Sequence, residues 1–143
     1  MDTMQTRRTL IESTAAMLLL APIASAQNKP APPQGRRNPI FQQDLPHVSL
    51  DNWSVTAVEV AYGPGEGSTS HSHPGITIVY VLEGQVRSQV GDQPERTYTV
   101  GEMFFENPGE RHGVSRNASD TKGARLLAIL LAEKGKPLTS PAE

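Results

Sequence analysis

Between residues 53 and 131 the chain is a series of short β-type runs punctuated by turn residues. No segment after residue 26 carries a convincing amphipathic helical period. Residues 53–62 alternate around β-branched side chains, 76–82 form a continuous apolar run, and 85–90 set Val86, Ser88 and Val90 against Gln85, Arg87 and Gln89. Residues 97–100, 103–106, 111–116 and 125–131 complete the set, with Glu83-Gly84, Gly91-Asp92 and Gly101-Glu102 as the turns. Evenly spaced short strands predict an all-β sandwich or small barrel. The run at 76–82 is apolar on both faces, so one face packs inward and the other needs cover. On so small a domain such a strip marks a subunit contact, and a homodimer is the expectation.

The amino-terminal pattern is different. Arg7 and Arg8 form a charged region, an apolar stretch covers 15–23, and Ala24-Ser25-Ala26 has the small-x-small form of a signal-peptidase site. Residues 1–26 are therefore expected to be a signal peptide, too short in its apolar part to be a stable membrane anchor, and the protein to be periplasmic or secreted. Thr6-Arg7-Arg8-Thr9-Leu10-Ile11 resembles a twin-arginine export signal, although Glu12 stands where a basic residue often follows, so export through the Sec route stays open. Residues 27–39 are polar, proline-rich and aperiodic, and read as a flexible arm, with a folded domain over 40–143.

Composition narrows the chemistry. A net charge of -2 gives no footprint for nucleic acid. Cysteine is absent, so any metal must be held by imidazole and oxygen. Three of the four histidines fall in two Gly/Pro-framed segments, Gly65-Glu66-Gly67-Ser68-Thr69-Ser70-His71-Ser72-His73 and Asn107-Pro108-Gly109-Glu110-Arg111-His112. On an extended segment His71 and His73 point the same way and can grip one ion. His47 lies apart and reads as surface structure. Tyr80, Tyr98 and the inward member of Phe104-Phe105 read as core or rim groups with a potential pocket role.

Together these two segments resemble the paired motifs of the cupin superfamily. Gly65, His71, His73 and Gly84 match the spacing of the first motif, and Gly101, Gly109 and His112 that of the second. Three positions depart from the pattern: Thr77 stands where the family places a glutamate, Asn107 replaces a proline, and Asn117 comes one residue late. The resemblance covers roughly residues 51–131. It implies a small single-domain cupin, type 2 conserved barrel: a double-stranded β-helix (jelly-roll) of two packed antiparallel sheets.

It also implies a divalent transition-metal site (Fe, Mn, Ni, Cu or Zn) at His71, His73 and His112, with His112 brought across by the second sheet. Thr77 is at best a weak, neutral fourth ligand. Glu59, Glu66, Glu83, Glu102, Glu106 and Glu110 are the other carboxyl groups of the region. Of these Glu66 and Glu110 lie nearest the histidine segments and are candidate general bases, although solvated surface charge is their plainer reading. By the resemblance, the expected activity is a metal-dependent dioxygenase acting on a small polar organic substrate. An isomerase or lyase, a non-catalytic binder of a sugar or small acid, and a metal-free polar cavity are the alternatives. No catalytic residue beyond the ligands is assigned.

Overall fold

The computed structural model describes Gly35 and residues 38–142; the expected signal peptide and all of the arm but Gly35, Asn38 and Pro39 lie outside the described residues. Ten strands follow one another: β1 (Trp53–Tyr62), β2 (Gly67–Ser68), β3 (His71–Ser72), β4 (Ile76–Glu83), β5 (Gln85–Val90), β6 (Arg96–Thr99), β7 (Met103–Glu106), β8 (Arg111–Asn117), β9 (Ala124–Glu133) and β10 (Ser140–Pro141). They form two antiparallel sheets, β1-β9-β4-β7 and β10-β3-β8-β5-β6, with β2 on β8. This is the all-β, two-sheet architecture expected from the alternation.

The seven longer strands lie where the sequence pattern puts them; the two-residue strands β2, β3 and β10 are too short to leave a periodic signal. Strand β6 ends at Thr99, one residue before the expected limit. There the Glu102 carboxyl accepts the Thr99 N–H at 2.7 Å and Gly101 takes a φ of 88°, a conformation that glycine adopts without Cβ strain.

Side chains of the four-stranded sheet fall into rows that explain the core. Val58, Ala128, Val79 and Phe104 lie side by side on the inner face across β1, β9, β4 and β7; the next row is Thr56, Leu130, Thr77 and Glu106. Val86 of β5 faces them from the other sheet, and Val81, Leu126 and Tyr62 extend the same cluster. Each fully buried valine, leucine or phenylalanine contributes about 1.5–3 kcal/mol, so this inter-sheet layer holds the barrel shut.

The outer face of the same sheet is also apolar. Ala57, Ile129, Ile78 and Phe105 form one outer row, and Leu127, Tyr80 and Met103 continue it below Glu59. The two-sided apolar character of 76–82 thus extends over neighbouring strands.

Strand β8 contains a bulge with consequences for the site. Opposite β5, Gln89 pairs with Val114 and Val90 with His112, which leaves Gly113 as an extra residue. A bulge reverses the alternation beyond it, so His112, Ser115 and Asn117 all face inward despite their odd spacing, and all three are buried. The same extra residue accounts for Asn117 arriving one position late. Asn117 donates to the Gly63 and Lys122 carbonyls at 2.9 and 2.6 Å and accepts the Ser119 N–H at 2.9 Å, tying together two loops at that end of the barrel.

Candidate metal centre

His71 and His112 are direct partners across β3 and β8. They therefore belong to one sheet, which corrects the expectation that the second sheet carries His112 across; the sequence shows strand spacing but not which strands become neighbours. Pro74, without an N–H, follows β3, and Gly75 lets the chain pass against β9, where a Cβ would overlap the Leu131 carbonyl. His73 lies between β3 and Pro74, buried like His112, while His71 is half-buried. The two motif segments are fastened to each other: Gly109, at a φ of 75°, donates its N–H to the His73 carbonyl at 2.7 Å.

The three imidazoles converge. Their rings are 5.0 Å apart from His71 to both His73 and His112, and one nitrogen of each lies within 4.8 Å of the others. Two rings have their tautomer set by backbone. His71 Nδ1 is 2.7 Å from the Thr69 carbonyl, and His73 Nδ1 is 2.7 Å from the Leu138 carbonyl. Because a carbonyl only accepts, Nδ1 carries the proton in both, and Nε2 keeps a lone pair. His112 is held through Nε2, 2.9 Å from the Ser88 hydroxyl, which turns its Nδ1 the other way.

Burial is the main cause holding His71 below the ordinary histidine value of 6.5; the bond to Thr69 opposes the shift, and the neighbouring His112 and His73 rings add to it. The neutral form that ligates metal is thereby favoured near pH 7.

Glu106, to which the sequence reading gives no role, enters the same space. It is 1% exposed, and its Oε2 lies 3.2 Å from His112 Nδ1 and 3.6 Å from His73 Nε2. The signal that would have found it is the two-residue period of β7: once Phe104 is the inward phenylalanine, Glu106 faces inward too. Thr77, its partner across β4 and β7, is fully buried.

Among the described residues, three buried side-chain polar atoms have no hydrogen-bond partner: Thr77 Oγ1, Glu106 Oε2 and His112 Nδ1. Buried polar atoms are nearly always paired, so three orphans in one place fit a site built for an ion and its oxygen ligands. The candidate bases Glu66 and Glu110 are placed elsewhere: each closes a turn, Glu66 accepting the Gly63 N–H at 2.7 Å and Glu110 the Asn107 N–H and Nδ2 at 3.2 and 3.0 Å. His47 is exposed. Tyr80 lies in an outer row, and Tyr98 stacks on Phe104 with ring centres 4.7 Å apart.

The cluster opens into a cavity of about 490 Å³ between the sheets. Its walls are largely apolar, with Val58, Val60, Phe104, Leu126, Ala128 and Leu130. A second polar group in the lining is Tyr62, whose hydroxyl is 2.7 Å from Ser68 Oγ and 2.9 Å from Ser115 Oγ.

Residues 58–130, just over half of the chain, match the cupin domain family Cupin_2. The chain belongs to the cupin family. Solved structures agree on the fold. This cupin is similar to TT1209 from Thermus thermophilus, with 29% identity, a TM-score of 0.51, and 69% of this chain and 90% of that one covered. It is also similar to a conserved double-stranded β-helix protein from Klebsiella pneumoniae, at 21% identity and a TM-score of 0.53, over 62% of this chain and 75% of that one. DMSP lyase DddQ from Ruegeria pomeroyi shares the fold at 20% identity and a TM-score of 0.55, over 62% of this chain, and the cupin spans only 43% of its length. No curated protein matches the chain.

Proposed function

We propose that this cupin holds a divalent transition-metal ion through His71, His73 and His112 and works there as a dioxygenase-type oxidoreductase on a small organic molecule. The observation that carries the reading is the convergence of three imidazoles, two with Nε2 lone pairs set by backbone bonds, on a cavity large enough for a substrate. The ion, when bound, supplies Lewis acidity toward a chelating oxygen pair and a centre able to react with O2.

The chain's own groups define the rest. Three protein nitrogens leave positions open for exogenous ligands, the arrangement of a catalytic rather than a structural site. The apolar wall of Val58, Val60, Leu126 and Ala128 favours a substrate with a compact apolar body behind a chelating head, such as an enolised dicarbonyl or a phenol. The Tyr62–Ser68–Ser115 hydroxyls offer that body's far side a polar anchor. Export to the periplasm or beyond is part of the proposal and rests on the 1–26 pattern. So is pairing of two copies, supported by the apolar outer rows around Ile78, Ile129 and Phe105.

The test is elemental analysis of the full chain, purified without a histidine tag, beside a His71→Ala/His73→Ala variant, followed by O2 uptake with small dicarbonyls and phenols. Near-stoichiometric metal that the variant loses, with substrate-dependent O2 uptake, is the expected result. Absence of metal even after reconstitution with Fe, Mn, Ni, Cu and Zn would sink the metalloenzyme reading. Metal with ligand binding and no turnover would replace the enzyme by a binding protein. Sedimentation of the same sample checks the pairing.

A further inference from the structure

We infer that Glu106 is the fourth protein ligand of this centre, its carboxyl group delivered from β7 opposite the threonine at position 77. The inference rests on the metal reading above and adds a ligand to it.

Distances come first. Two donors each about 2.1 Å from one ion, at angles between octahedral and tetrahedral, lie roughly 3.0–3.4 Å apart. Glu106 Oε2 stands 3.2 Å from His112 Nδ1, inside that range, and 3.6 Å from His73 Nε2, just outside it. Neither contact is made as a hydrogen bond: Oε2 and His112 Nδ1 both lack a partner although they are close. A proton shared between them would satisfy both atoms, but the alignment for it is missing, whereas a cation between donors needs no donor–acceptor line.

Burial comes second. A carboxyl group 1% exposed and without a hydrogen bond at Oε2 is costly to keep in a barrel interior. Binding a cation removes that cost, and no other carboxyl group among the described residues lines the cavity.

Register comes third. Thr77 and Glu106 are directly opposed across β4 and β7, with side chains on the same inner face. Two carboxyl groups facing each other there would repel, and the small neutral threonine leaves room for the glutamate to reach the histidines. The pair can therefore carry its one acid on either strand, and here β7 carries it. The ligand set becomes three neutral nitrogens and one anionic oxygen, a donor set that suits harder divalent ions better than three imidazoles alone.

The experiment compares the full chain with Glu106→Gln and with the exchange variant Thr77→Glu/Glu106→Thr, reading Zn(II) and Co(II) affinity by competition titration and the visible spectrum of the Co(II) form. Glu106→Gln keeps the shape and should weaken binding by roughly 10- to 100-fold and change the Co(II) spectrum, and the exchange should recover most of that loss. As a readout that needs no variant, metal addition to chain labelled with 13C-glutamate should shift one carboxyl band in the infrared difference spectrum. Unchanged affinity and spectrum in a folded Glu106→Gln, or a labelled chain that binds metal with no carboxyl shift, would overturn the inference while leaving the three-histidine centre intact. Failure of the unmutated chain to bind any metal would overturn both.

Discussion

Two polar groups line the same cavity and are built on opposite terms. At Tyr62 every hydroxyl has a partner: the phenol reaches Ser68 and Ser115, and the structure there is complete without a ligand. At Glu106 the polar atoms are close together and unpaired, with Oε2, His112 Nδ1 and Thr77 Oγ1 all orphaned. The first arrangement stabilises the fold; the second is destabilising until something binds. A site of this kind holds binding energy as unsatisfied polarity, set beside the packed apolar side chains of Val79, Phe104, Leu126 and Leu130.

Metal should separate the two groups by the largest margin. At a free ion concentration one hundred times its Kd, binding stabilises the folded chain by about 2.7 kcal/mol. Thermal melts should show that increment undiminished in Tyr62→Phe and absent in His73→Ala; an equal loss in both variants would mean that the cavity titrates as one unit. A smaller effect is expected in the metal-free protein, with opposite signs at the two ends. Tyr62→Phe strips Ser68 and Ser115 of a shared partner and should cost about 1–2 kcal/mol. Thr77→Val removes an orphaned hydroxyl at nearly constant shape and should leave stability unchanged or raise it by about 1 kcal/mol. Denaturant melts of the two variants decide it, and destabilisation by Thr77→Val would show that its hydroxyl is satisfied after all.

The smallest effect belongs to a satisfied carboxyl group at the surface. The Thr99 backbone N–H, then the Thr99 hydroxyl and Arg96, hold Glu102 below the ordinary value of 4.5. Its folded pKa is below its unfolded one, so the unfolded chain takes up the proton first as pH falls. The turn's contribution is therefore full above pH 4.5 and is lost as pH drops through that value toward the folded pKa. Melting Glu102→Gln against the unmutated chain at pH 7 and at pH 3.5 should give a slight deficit at the higher pH and a smaller one at the lower. A gap that widens in acid would contradict this account.

The sequence alone carried the architecture and the three histidines of the cluster. Period-two alternation and Gly-bearing turns located seven strands, and His71-Ser72-His73 pointed to two converging imidazoles because residues two apart on an extended segment share a face. Glu66 and Glu110, near in sequence to the histidines, were the natural carboxyl candidates, and local geometry instead uses both to close turns. Glu106 was hidden because alternation within the short strand β7 does not say whether Phe104 or Phe105 faces in, and the choice depends on packing against Val79. His73 depends on the Leu138 carbonyl, 65 residues away in the chain, for its tautomer. Tertiary structure alone decided these points, since they turn on which strands become neighbours and on where one extra residue, Gly113, reverses the alternation. A strand's period reports its own two faces, whereas the atom opposite each face belongs to another part of the chain and is specified only when the sheets close.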